Sequence, residues 1–166
     1  AIGYLALATE DGHGRNIAIG QQALEDLNAG ANGNNVAIGY DCGKEMSTGT
    51  DNVLVGAYAG DALTTGVYNV AIGRSALTTE DAHGYNVAIG TFALMSQDAG
   101  SDAHNVAVGY GTGQNISTGL RNTIIGGAAG VALTTASNNV ALGYNALGDE
   151  TTGGSNIAIG KDAMSS

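Results

Sequence analysis

An Asn followed by three apolar or small residues and a Gly recurs nine times along the chain, at Asn16–Gly20, Asn35–Gly39, Asn52–Gly56, Asn69–Gly73, Asn86–Gly90, Asn105–Gly109, Asn122–Gly126, Asn139–Gly143 and Asn156–Gly160. A further copy begins mid-motif at Ala1-Ile2-Gly3. Successive Asn residues are 19, 17, 17, 17, 19, 17, 17 and 17 apart. Counted from the Asn as position zero, positions one to three read Val-Ala-Ile or close relatives, a run that predicts a short strand rather than a helix. Self-similarity at a short fixed period predicts a solenoid, in which each unit buries its apolar face only against its neighbours. The expectation is an all-β parallel β-solenoid, or β-roll, of about nine and a half coils forming one domain over residues 1–166.

Alternation along the strand puts positions one and three on one face and zero, two and four on the other. Val and Ile at one and three are read as the inward pair. Position two then faces outward: Ala18, Ala37, Leu54, Ala71, Ala88, Ala107, Ile124, Ala141 and Ala158. Every member is apolar, where a water-facing column should carry Thr, Lys, Ser or Glu. That column is therefore expected to be the interface of a homo-oligomer. Asn16, Asn35, Asn52, Asn69, Asn86, Asn105, Asn122, Asn139 and Asn156 are expected to form a structural ladder of stacked amides along the rod.

The remainder of each unit is regular too. Position seven is small, as in Ala23, Cys42, Ala59 and Thr112. Position eight is Leu or Met in five units; in the other four it is Gly, and Met46, Leu63, Ile116 or Leu133 follows at position eleven. Gly near position fourteen (Gly30, Gly49, Gly66, Gly100, Gly119, Gly153) suggests turns at positive φ. Units from Asn35, Asn52, Asn69 and Asn86 match those from Asn105, Asn122, Asn139 and Asn156, which defines a 70-residue super-repeat of four coils. Seventeen residues give about 56 Å of path, room for two or three short strands per coil once turns are subtracted.

Composition narrows the function. Twenty-eight Gly, no Pro and no Trp are foreign to an ordinary globular core. A net charge of −10 argues against nucleic acid as a partner, and no run of 18 or so apolar residues is present to insert into a membrane. The single cysteine, Cys42, excludes an intrachain disulfide. The chain opens inside a motif and stops at Ser166, partway through a further unit, and is read as a fragment, a processed product or an incompletely determined sequence.

Candidate chemistry is sparse. Glu10-Asp11-Gly12-His13 recurs as Glu80-Asp81-Ala82-His83, with Asp149-Glu150 in the third copy. Carboxylates with His can bind a divalent cation, but the copies lie about 19 Å apart along the rod and cannot share an ion. They are read as solvated acidic turns inherited by duplication, and no metal is expected. Cys42 stands where most units have Ala and reads as core rather than nucleophile. Tyr residues after the motif Gly (Tyr4, Tyr40, Tyr110, Tyr144) read as corner covers, with sugar binding as the other use. No catalytic constellation and no cofactor site are identified, so an enzyme is not expected. The pairs Thr64-Thr65, Thr78-Thr79 and Thr134-Thr135 raise ice binding, although they shift register between coils.

The motif Asn-Val-Ala-Ile-Gly followed by x-x-Ala-Leu resembles repeats in the head domains of trimeric autotransporter adhesins. Ala141-Leu142-Gly143-Tyr144-Asn145-Ala146-Leu147 with Thr151-Thr152-Gly153 is similar to repeats of bacteriophage tail fibres. The resemblance implies a left-handed parallel β-roll that trimerises. It further implies a shaft or head segment of an extracellular, cell-surface or virion fibre for host recognition or adhesion, with a host-surface glycan or protein receptor as possible partner. The alternatives are a filament subunit stacking end to end and a glycan- or ice-binding solenoid.

Overall fold

A computed structural model describes residues 1–10, 14–30 and 32–165. Among the described residues there are nine three-residue strands: β1 Ile17–Ile19, β2 Val36–Ile38, β3 Val53–Val55, β4 Val70–Ile72, β5 Val87–Ile89, β6 Val106–Val108, β7 Thr123–Ile125, β8 Val140–Leu142 and β9 Ile157–Ile159. They form one parallel sheet in chain order. Pairing follows the motif position for position, as in Val70↔Val87, Ala71↔Ala88 and Ile72↔Ile89. Ile2 adds a parallel bridge to Ile19 at the N-terminal end. The chain is thus an all-β parallel solenoid in which like residues stack on like.

Each coil has a single strand, fewer than the path length allows. The reason lies in the backbone after the Gly. Position six is left-handed in every coil (Gln22 φ 59°, Tyr58 φ 60°, Phe92 φ 62°), and so is position eight (Leu24 φ 51°, Gly43 φ 59°, Leu94 φ 47°). A third left-handed corner, as at Tyr68, Tyr85 and His104, precedes the Asn in most coils. Residues in this region interrupt an extended run, and each costs about 1 kcal/mol when it is not Gly. Coil-to-coil bonds compensate: the Gln22 N–H donates to Tyr4 O at 2.8 Å, and the Leu24 N–H to Cys42 O at 3.0 Å.

The expected sidedness of the strand is reversed. Ala18, Ala37, Leu54, Ala71, Ala88, Ala107, Ile124, Ala141 and Ala158 are all buried in the core of the single chain. They are closed to any partner, so the oligomer interface assigned to them is withdrawn. The Val and Ile columns at positions one and three face out, with Ile17 51% and Ile125 39% exposed. Alternation grouped the positions correctly, but the Asn decides which group turns inward. Its amide is buried and bonded on the inner side (below), position two shares that side, and the β-branched pair is left outside.

The core is narrow and filled by Ala at positions two and seven plus one or two large residues per coil. Where position eight is Gly, neighbouring side chains occupy its space. A Cβ at Gly43 would lie 2.8 Å from Leu54 Cδ1 and 2.9 Å from Leu24 Cδ2, and one at Gly60 would lie 2.8 Å from Leu63 Cδ1. Leu at eight and Gly at eight with a large residue at eleven are two ways of filling one volume.

Gly at position four is demanded twice over. At Gly90 φ is +133°, and a Cβ would stand 2.2 Å from Gly109 O in the next coil. At position fourteen, positive φ holds only for Gly30 and Gly100 among the six named. Gly66 is there instead for space, since its Cβ would meet Leu63 Cδ2 at 2.6 Å and His83 O at 2.7 Å. Gly90→Ala is expected to destabilise by about 3 kcal/mol, from a φ only Gly adopts freely and from the overlap. Gly100→Ala, with open space around it, should lose only about 1 kcal/mol. Urea midpoints of the two variants check this difference.

Candidate functional site

The Asn column runs through the interior as a hydrogen-bonded spine. The Oδ1 of each Asn accepts the backbone N–H of the next, from Asn16 to Asn156, at 2.8–3.2 Å. Nδ2 donates to the carbonyl fourteen residues further on, namely Gly49, Gly66, His83, Gly119, Ala136 and Gly153, at 2.7–3.1 Å. One side chain therefore ties its own strand to the return turn of its coil and to the strand of the next. Among the described residues, direct bonds between amides of the column occur at Asn52–Asn35, Asn122–Asn105 and Asn139–Asn122, and Asn105 Nδ2 also donates to Gln97 Oε1 at 2.7 Å. The spine differs from the stacked-amide ladder expected, because the main acceptor–donor chain alternates side chain with backbone.

Asn16 and Asn86 open the two 19-residue coils, whose turns are longer. Asn16 Nδ2 donates to Glu10 Oε2 at 3.0 Å instead. Asn86 Nδ2 is buried and without a partner among the described residues.

Position eleven is where sequence reasoning missed a feature. Leu27, Met46, Leu63, Ile116 and Leu133 are fully buried there, so the position points inward. The same column holds Glu10, Glu80 and Glu150, one per 70-residue block, and Gln97. Glu80 is fully buried whereas Asp81 is exposed. The solvated acidic turn expected for this segment thus holds for Asp81 and fails for Glu80. The register with Leu at position eleven was the signal that could have found it. Asp11, Gly12 and His13 of the first copy lie outside the described residues.

Glu80 Oε1 accepts the His83 N–H at 3.1 Å and lies 3.2 Å from His83 Nδ1. Its Oε2 is buried and has no partner among the described residues. Burial pushes the Glu80 carboxyl above its ordinary value of 4.5, against the opposing pull of His83. Glu150, on the surface, is held below that value by the Gly153 and Thr152 N–H groups at 2.6 and 3.1 Å. Cys42 is buried, and burial pushes its thiol up to about 12.

Aromatic rings line both edges of the strand face. Tyr68, Tyr85 and His104 stack before the Asn, with centroids 5.2 and 4.9 Å apart. Beyond the Gly, Tyr40 meets Tyr58 edge-on at 5.3 Å, and Arg74 lies 5.8 Å from the Phe92 ring. The Thr hydroxyls are engaged between coils: Thr64 donates to Asp81 O at 2.7 Å, Thr79 to Met95 O at 2.7 Å and Thr134 to Thr151 O at 3.0 Å. No pocket is formed among the described residues, and no helix long and apolar enough to cross a membrane is present among them. The chain matches no family model, no curated protein and no solved structure.

Asn122→Ala should cost about 3 kcal/mol in urea unfolding, because it strands the Asn139 N–H and the Ala136 carbonyl inside the rod. Carboxyl NMR titration should place Glu80 and Glu150 on opposite sides of 4.5. The signs follow from linkage. Glu80, raised when folded, makes the rod lose stability as pH climbs from 4.5 through its folded value. Glu150, lowered when folded, contributes stability above 4.5 that disappears as pH falls through its folded value.

Proposed function

We propose that the chain is a structural rod segment of a fibre, held to further copies of itself through the outer face of its strands. The observation that carries this reading is that face. Of the eighteen residues at positions one and three of β1 to β9, seventeen are aliphatic, Thr123 being the exception, and none is buried. No charged residue stands at positions zero to four of any coil. By the same register, eleven of the fifteen acids fall at positions nine to twelve, away from the strand.

The dimensions suit a protein partner. Eight steps of about 4.8 Å by five residues of about 3.3 Å, positions zero to four, give roughly 600 Å². That is about three quarters of the share each partner contributes to a stable interface of standard size, and it lies at the upper end of the apolar patch a monomer ordinarily leaves wet. A second copy has the same axial spacing, so its Val and Ile rows fit between those of the first along the whole length. Packing uncharged faces together also keeps the acids of a chain carrying −10 apart.

Three copies around an axis is the arrangement supported by the resemblance of the repeat to adhesin heads and tail fibres. On this reading the protein acts outside the cell or on a virion, spacing or presenting a receptor-binding part. The Thr hydroxyls that bond between coils leave little for an ordered-water surface, which counts against ice binding.

Light scattering after gel filtration should give a discrete oligomer of three chains. Ile72→Lys with Ile125→Lys should convert it to a monomer with unchanged far-ultraviolet circular dichroism, since neither side chain belongs to the core. A monomeric parent at about 100 μM, weaker than the affinity a face of this size should give, or a double variant that stays assembled, would refute the reading. Particles that lengthen with concentration would point to end-to-end filaments.

A further inference from the structure

We propose that Glu80, Asp81 and His83 form a binding site for a divalent transition-metal ion of the zinc type, a function separate from the rod's assembly. Ligand atoms of the three side chains lie within 4.8 Å of one another. The 3.2 Å between Glu80 Oε1 and His83 Nδ1 already matches two donors of one tetrahedral ion, since bonds of about 2.0 Å subtend roughly 3.3 Å.

The second observation is independent of this clustering. Glu80 has no exposed side-chain surface, yet its Oε2 has no partner among the described residues. A buried carboxylate oxygen left unpaired is costly, and such atoms in folded proteins point to a missing water, ion or proton. The charges acting on Glu80 include His83, which favours its ionised form, and Asp98, which opposes it. A cation held by Glu80 would offset both burial and the Asp98 charge.

Asn86 Nδ2, the counterpart of the Asn16 amide that bonds Glu10, is likewise without a partner among the described residues. A carboxylate has about four acceptor sites, so Glu80 can take the amide and the ion together. Access is open: His83 is 27% exposed and Asp81 lies on the surface, leaving room for water to complete the shell. One imidazole with two carboxylates suits zinc better than calcium, which takes oxygen donors alone.

The third block supplies an internal control. The counterpart of His83 is Gly153, and Glu150 is turned to the Gly153 and Thr152 N–H groups instead.

The test is calorimetric titration of the chelator-treated protein with zinc. Saturable binding is expected that 1 mM calcium, on the order of extracellular levels, does not displace. His83→Ala and Asp81→Asn should each remove one equivalent or weaken it by more than about tenfold, while Glu150→Gln leaves the titration unchanged. Both altered side chains reach the surface, and circular dichroism verifies that the variants remain folded. In the parent, zinc should shift the His83 imidazole resonances. Absence of saturable zinc binding, displacement by calcium, or parent-like binding by both His83→Ala and Asp81→Asn would overturn the assignment.

Discussion

The rod is organised by one repeated contact, the inward amide of the Asn before each strand. Its oxygen takes the N–H of the next Asn, and in six of the nine repeats its nitrogen takes a carbonyl across the coil. A fully buried amide has to be satisfied by both ends, because an orphaned polar group inside costs about 1–3 kcal/mol. Pointing the Asn inward fixes the strand's phase, and alternation does the rest. Position two becomes a wall of small residues, while Val and Ile become an outer surface the single chain cannot cover. A polar bond inside the rod is thus the cause of the apolar face outside it.

The thinness of the core follows from the same arrangement. With Asn and Ala on the inner side of the strand, the opposite wall approaches closely, and Gly at position four lets the backbones of successive coils meet where a Cβ would stand 2.2 Å from Gly109 O. Little aliphatic volume is then available per coil, so directional bonds between coils carry a large share of cohesion. Left-handed corners at Leu24, Tyr58 and Phe92 would be unfavourable in isolation. They persist because their N–H groups bond to neighbouring coils at about the same height, repeated along the stack.

Much of this architecture was legible in the residues. The 17-to-19-residue spacing required stacked coils, the Asn column implied bonds along the axis, and the 70-residue block explained the two long turns. Which strand face turns inward was not legible from hydrophobicity, since Ala and Val are both apolar. The answer depended on whether Asn 35, 52 and 69 were satisfied by protein or by water. Strand number per coil was hidden too, because left-handed Leu77 and Leu94 have no sequence mark distinguishing them from extended Leu. Glu80 was misread through composition: an acid beside Asp81 and His83 resembles a wet turn until its register with Leu63 and Ile116 is counted.

That register carries a more general point about duplicated solenoids. A column position inherits its direction from the fold, so a residue's chemistry is set by its column and not by its immediate neighbours. Position eleven points inward in every coil where it is aliphatic, and a Glu placed there must find bonds, a proton or a cation. Glu150 has two backbone N–H groups, Glu10 has Asn16, and Glu80 has His83 for one oxygen only. The same acid at three equivalent places thus meets three different solutions. Divergence after duplication has acted where one coil per block is longer and where the spine's own amide, at Asn16 and Asn86, no longer reaches the turn of its own coil. Irregularity in the repeat and unsatisfied chemistry coincide at Asn86, whose longer coil leaves its amide nitrogen without a partner among the described residues.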